Sequence, residues 1–159
     1  MSKILNISQA IKIAQNSKKK GLSIVLAGGC FDVLHSGHVA FLEAAKKEGD
    51  VLILLLESDE NIKKRKGTGR PLNSMHKRIT VLSSLQTVDF IIPLVGMTKN
   101  EEYDRIMIQI KPDIVAMTKG DPNVAQRIRQ CEKIGAKLKL VIEKIDGIST
   151  TALVSEFIR

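Results

Sequence analysis

The chain has 159 residues, 43% apolar and 26% charged, and a formal net charge of +8. That length suits one ordinary domain and is short for two, and the apolar share excludes a disordered chain. The positive balance attracts polyanions of every kind, nucleic acids, acidic membrane surfaces and nucleoside phosphates alike. The aromatic residues are Phe31, Phe41, Phe90, Tyr103 and Phe157, with no Trp, too sparse for the stacking platform of a single-strand nucleic-acid binder. Cys30 and Cys131 form neither a disulfide framework nor a metal-ligand spacing, so a reducing compartment, the cytoplasm, is expected, with no structural zinc. Residues 1–13 alternate polar and apolar positions without the apolar block of a signal peptide. The densest apolar run, residues 51–56, stops at Glu57, far short of the ~18 residues of a membrane span.

In chain order, Ser8 is placed to cap a first helix that turns Ile11, Ile13 and Ala14 inward. It ends at Lys18, Lys19, Lys20 and Gly21, because cations and glycine favour helix C-termini. Residues 22–27 read as a buried strand, after which Gly28, Gly29, Cys30, Phe31 and Asp32 turn the chain toward a helix beginning near His38 and ending before Gly49. Residues 51–56 form the next buried strand, and residues 58–70 a polar, strongly basic connection that reaches Pro71. Asn73 or Ser74 then caps a helix through Leu85. A strand at 90–93, a helix at 100–110, a strand at 114–117, a helix at 124–134 closed by Gly135, a strand at 137–141 and a helix at 149–157 complete the series. The alternation predicts an α/β fold, a Rossmann-like doubly wound parallel sheet covered on both faces. It is expected to be a single domain over residues 1–159, with a helix from the first 21 residues packed on a core formed by residues 22–159. Ligands of such sheets lie beyond the carboxyl ends of the strands, which draws attention to the loops after Ala27, Leu56, Met117 and Val141.

His35, Ser36, Gly37 and His38 fall where the first strand has ended and a helix begins. Two histidines three apart project to one side, Gly37 lets a ligand approach the backbone, and free N–H groups at a helix start attract anions. Imidazole N–H groups are suitable donors to phosphoryl oxygens. The alternative is a pair of structural histidines capping the helix. Gly147, Ile148, Ser149, Thr150 and Thr151 precede the closing helix, where hydroxyls cap the helix or bond a phosphate resting on the same N–H groups. In the basic connection, Lys63, together with Arg78 in the following helix, is assigned to phosphate, while Lys64 and Arg65 are read as solvated surface. Asp121 either contacts a base or ribose or is a turn aspartate, and Asp32 orients its loop or satisfies its own turn. Cys30 is read as a small loop residue whose backbone N–H faces phosphate, since nothing nearby in sequence activates it as a nucleophile.

Gly29-Cys30-Phe31-Asp32 leading into His35-Ser36-Gly37-His38, with Ile148-Ser149-Thr150-Thr151 near the end, resembles the cytidylyltransferase-like nucleotidyltransferase family. The likeness runs from about Leu22 to the C-terminus, and is strongest to bacterial heptose 1-phosphate adenylyltransferases. There, stretches similar to residues 63–71 and to Asp146-Gly147 before Ser149-Thr150-Thr151 recur in the same order. Glycerol 3-phosphate cytidylyltransferases share both main motifs but lead into the second with Arg-Thr-Glu-Gly, where this chain has Lys144-Ile145-Asp146-Gly147. Where the heptose enzymes carry Lys-Gly-Gly-Asp-Tyr, this chain departs, reading Lys119-Gly120-Asp121-Pro122-Asn123.

The resemblance implies that an acceptor phosphate attacks the α-phosphorus of a nucleoside triphosphate, ATP or CTP, and pyrophosphate leaves in line. A phosphate monoester is already largely dianionic near neutrality, so no general base is required. Mg²⁺ would travel on the triphosphate rather than on a protein site. His35 and His38 would hold the phosphates, and Cys30 and Phe31 would offer backbone contacts beside Ser36 and Gly37. Lys63 would bridge acceptor and α-phosphate, Arg78 would support the β and γ phosphates, and Ser149, Thr150 and Thr151 would hold the leaving group, with Gly147 and Ile148 beside them in the nucleotide-binding set. The partners implied are a nucleoside triphosphate, a phosphorylated small-molecule acceptor and a second copy in a homodimer, with no nucleic acid or membrane. A cytidylyltransferase acting on glycerol 3-phosphate, an enzyme like the archaeal-type FAD synthetases, a non-catalytic nucleotide sensor and a basic nucleic-acid-binding module are the alternatives.

Overall fold

The structure, a computed structural model, describes residues 2–143 and 148–157. Five parallel strands form one sheet in the order β3-β2-β1-β4-β5, with β1 Ile24–Gly29, β2 Val51–Leu56, β3 Phe90–Pro93, β4 Ile114–Lys119 and β5 Lys137–Glu143. The helices are α1 Ile7–Lys19, α2 Ser36–Lys47, α3 Asp59–Lys66, α4 Met75–Ser84, α5 Asn100–Ile110, α6 Val124–Ile134 and α7 Thr150–Phe157. The doubly wound parallel sheet expected from the alternation is present. None of the described helices is long and apolar enough to cross a membrane.

Because successive side chains of a strand point to opposite faces, the central strands divide into two apolar layers. Ile24, Leu26, Ile53, Leu55, Ile92, Val115 and Met117 meet Ala10 and Ala14 of α1, Ile106 and Ile110 of α5 and Cys131 of α6. Val25, Ala27, Leu52, Leu54, Leu56 and Ile91 meet Leu42 and Ala45 of α2 and Leu82 of α4. Burial on both faces explains why Val51–Leu56 is an uninterrupted apolar run. The helix of the first 21 residues lies on the first of these layers, with Leu5 buried and Leu5 N–H donating to Ile91 C=O.

Several boundaries differ from the sequence expectation. Asn6, not Ser8, caps α1, its side chain accepting from Gln9 N–H while the Gln9 side chain accepts from Asn6 N–H. β1 runs on to Gly29, and β4 and β5 run past Met117 and Val141, so the strand ends that frame the site lie further along the chain. α2 begins at Ser36 rather than near His38. Residues 59–66 are helical, where a basic connection was expected. Ser58 accepts from Asn61 N–H, Asp59 and Glu60 occupy the first turn and Lys63 to Lys66 the last, an arrangement that complements the helix dipole. Ile62, fully buried, is the apolar anchor of this helix. At the start of α4 neither Asn73 nor Ser74 caps through its side chain; the Asp59 carboxylate accepts from Met75 N–H instead.

Candidate active site

β1 and β4 are hydrogen-bonded neighbours whose crossovers leave in opposite directions along the sheet, and they pair at Val25 with Ile114 and Leu26 with Val115, short of their carboxyl ends. A crevice at that switch point is the expected ligand site of a doubly wound sheet. There, beyond the carboxyl ends of the strands, lies a cavity of about 470 Å³, within the usual size of a small-molecule site.

The loop after β1 forms its floor. Gly29 packs so closely under the Phe31 ring that a Cβ there would lie 2.8 Å from the ring, and Phe31 itself takes a positive φ of 46° while buried. Such a conformation is costly for an aromatic residue and survives only where its surroundings impose it. His35 precedes the first turn of α2, and its ring stacks on His38 with centroids 3.8 Å apart. A Cβ on Gly37 would sit 3.0 Å from His35 Nδ1, so glycine is what lets the ring fold over the helix start. His35 N–H points at His38 Nδ1, 3.3 Å away, and ties the second ring to the backbone at the helix start. His35 Nδ1 is buried without a partner among the described residues. Burial, then His35 and Lys66, lowers the His38 pKa to about 4, partly opposed by the Val33 carbonyl; burial lowers that of His35 as well. Both rings are therefore neutral donors near pH 7.

Cys30, Phe31, His35, Gly37, His38, Asp121, Ile148, Ser149, Thr150 and Thr151 all line this cavity. The two motifs touch: Thr150 Oγ1 donates to Val33 C=O, 3.4 Å away, and the Gly37 Cβ position lies 3.7 Å from Ile148. The three hydroxyls divide their roles. Ser149 Oγ accepts from Ala152 N–H and caps α7, Thr150 is buried as the tie to the histidine loop, and Thr151 is exposed at the helix start. Asp121 is a turn aspartate, accepting from Asn123 N–H at 2.8 Å, and also faces the cavity. Gly147 lies outside the described residues. Ser36 is exposed and does not line the cavity.

The basic segment departs most from expectation. Arg78 is not a phosphate contact here: its side chain is fully buried, and its donors go to Asn73 C=O, Cys30 C=O, Glu57 C=O and the Asp59 carboxylate at 2.5–3.1 Å. Lys63 is exposed and does not line the cavity, whereas Arg65 and Lys66 do. The reason is helical phase. At about 100° per residue, burying Ile62 brings the positions three and four further on, Arg65 and Lys66, to the same side and turns Lys63 away. Asp32 is the orienter of its loop, its buried carboxylate accepting from Arg70 Nε, Leu72 N–H and Asn73 N–H. Burial would raise its pKa, but the Asn73 and Leu72 amides and Arg70 outweigh this and lower it.

Sequence reasoning missed a second polar group. Glu57, at the end of β2, accepts from Tyr103 Oη at 2.9 Å, Asn61 Nδ2 at 3.1 Å and Arg65 at 2.8 Å. Burial and the Glu57 carboxylate push Tyr103 up to about 12. Arg127 of α6 also faces the cavity, bonded to Gln130 at 2.7 Å, its pKa lowered by burial. These residues are scattered over the end of β2, α3, α5 and α6 in the sequence, and no local pattern marks them.

The family model described as "Cytidylyltransferase-like" matches residues 26–158. The bifunctional protein HldE of Pseudomonas fluorescens is 36% identical over 155 residues, 96% of this chain and 31% of that protein. HldE of Alcanivorax borkumensis is 33% identical over 153 residues, 95% of this chain and 31% of that protein. The chain thus spans about a third of the length of these relatives. The crystal structure of a lipopolysaccharide core biosynthesis protein from Thermoplasma volcanium is similar with a TM-score of 0.62 and 26% identity, covering 81% of this chain and all of that one. Pantoate-beta-alanine ligase from Francisella tularensis, solved with a bound ATP compound and beta-alanine, shares the fold alone at 19% identity and a TM-score of 0.67, over 98% of this chain and 73% of its own. With a family model matched across the sheet and both motifs around the cavity, this chain belongs to the cytidylyltransferase-like family.

Proposed function

We propose that the chain transfers AMP from ATP to the phosphate of a phosphorylated acceptor such as heptose 1-phosphate, releasing pyrophosphate. The observation that carries this reading is the junction of the two motifs, 117 residues apart at Val33 and Thr150, around one cavity. Two helix N-termini, of α2 and α7, and the neutral histidine pair border the space, a donor-rich setting for a triphosphate. An oxygen of the acceptor phosphate forms a new bond to the α-phosphorus while the bond to the β-phosphate oxygen breaks, and pyrophosphate carries the electron pair away. A ring N–H of His38 donates to oxygen on which charge develops, and His35 shares the load. Arg65 and Lys66 replace Lys63 and Arg78 as the cations that meet the phosphates.

Mg²⁺ enters as part of the nucleotide substrate. The cavity's carboxylates fit that role for the metal, because each already has partners: Asp32 holds Arg70 and two amides, Glu57 holds Tyr103, Asn61 and Arg65, Asp121 holds Asn123, and Glu143 pairs with Lys119.

The test is pyrophosphate release by purified protein with Mg²⁺ and ATP, with and without heptose 1-phosphate, beside a CTP and glycerol 3-phosphate control. Acceptor-dependent release with ATP is the expected result. Release in the control alone would make the protein a cytidylyltransferase, and nucleotide binding without release for any acceptor would make it a sensor.

A further inference from the structure

Beside the main cavity is a second recess of about 260 Å³, walled by α3, the start of α5 and the start of α6. All of its lining residues are polar, and carboxamides lead the set: Asn61, Asn100, Asn123 and Gln126. A carboxamide offers an acceptor oxygen and two donors in one plane, the complement of hydroxyl groups that both donate and accept. An apolar tail would find no aliphatic side chain there to cover it.

Asn61 is held for this purpose. Its Nδ2 has two hydrogens and three acceptors in reach, Glu57, Met97 C=O at 2.6 Å and Tyr103 Oη at 3.0 Å, so that one bond is shared and the plane of the amide is fixed, and among the described residues no donor reaches its Oδ1. Arg65 and Arg127 line both the recess and the main cavity, so two guanidiniums stand at the passage between them. Guanidinium groups suit phosphate oxygens, and Arg127 is already largely withdrawn from water. Lys64, on the outer side of the recess, adds a further cation.

We infer that this recess holds the hydroxyl-bearing part of a polyhydroxylated phosphate, a sugar phosphate, whose phosphate rests on Arg65 and Arg127 and faces the histidine pair. The inference deepens the transferase reading and rests on it for the direction in which the phosphate points. It makes specificity a property of the space between three helices rather than of either motif.

The experiment titrates protein saturated with a non-hydrolysable ATP analogue, by calorimetry, with heptose 1-phosphate, glucose 1-phosphate, phenyl phosphate and inorganic phosphate. It is repeated with the double variant Asn100→Ala, Gln126→Ala, two positions at the outer edge of the recess whose loss leaves the core intact. A sugar phosphate should bind more tightly than inorganic or phenyl phosphate. The double variant should weaken the sugar phosphate by about tenfold, as the loss of two hydrogen bonds predicts, while affinities for the analogue and for inorganic phosphate stay the same. Equal binding of phenyl and sugar phosphates, or a variant with unchanged sugar-phosphate affinity, overturns the inference. The two readings separate in turnover: pyrophosphate release with an unaltered acceptor KM in the variant overturns the recess and keeps the transferase, whereas recess-dependent binding without release does the reverse.

Discussion

His35 and Arg78 both bring polar atoms out of water at the same end of the sheet, yet they do opposite things with them. Arg78 binds three carbonyls and a carboxylate, tying α4 to the ends of β1 and β2 and to α3. Among the described residues His35 keeps a buried Nδ1 without a partner, and its ring stacks on that of His38 at the cavity wall. Buried polar groups ordinarily find partners, so one whose capacity is left open beside a cavity is arranged for a ligand, whereas a satisfied one is part of the scaffold. In a run of basic and imidazole side chains, satisfaction distinguishes the two better than charge does.

The sharpest way to break this contrast is Arg78→Met. Removing the buried guanidinium strands the Cys30 and Glu57 carbonyls, while the more exposed Asp59 carboxylate returns to water, and the expected loss is about 2–5 kcal/mol of stability in urea unfolding. A loss below about 1 kcal/mol would return Arg78 to the ligand-binding group. His38→Ala is expected to show the opposite balance. Turnover should fall by about 10²- to 10³-fold, the usual effect of deleting one transition-state donor, while the urea midpoint stays close to wild type. Wild-type turnover in a folded His38→Ala protein would remove the histidine from the chemistry.

The pH dependence of stability sharpens the same point. The folded pKa of His38, about 4, lies below its ordinary 6.5, so the unfolded chain takes up a proton first as pH falls. The stability tied to the neutral ring is present above pH 6.5, drains away between there and about 4, and is constant below. Urea midpoints measured from pH 7.5 to 4 should show that slope in the wild type and a flatter one in His38→Ala; parallel profiles would contradict the burial of the ring. The smallest effect belongs to the helical phase of α3. Lys63→Ala should change turnover by less than about twofold, while Lys66→Ala, on the cavity side, should lower it by about tenfold or more. The reverse ranking would mean that α3 rotates when substrates bind.

Much of this molecule was legible in its sequence. Val51–Leu56, Phe90–Pro93, Asn100–Ile110 and Val124–Ile134 carry periodicities and punctuation strong enough to define both element and boundary. The histidine and hydroxyl motifs were legible because each depends on a local event, a strand ending and a helix starting, that its own residues encode. Residues 59–66 were not, since one apolar residue, Ile62, gives no periodicity, although Ser58 followed by two acids and four cations held a capping and dipole signal.

The sequence by itself determined the strand and helix alternation, hence the parallel sheet, and the two motifs that border its open end. Those features follow from interactions between residues close along the chain. Only the tertiary structure decided that Arg78 turns inward, that Arg65 and Lys66 rather than Lys63 face the site, and that Asn61, Asn100 and Gln126 enclose one recess. Each of these depends on how far a helix is rotated about its axis and on what it packs against, quantities set by distant apolar contacts and invisible in a local run of charges.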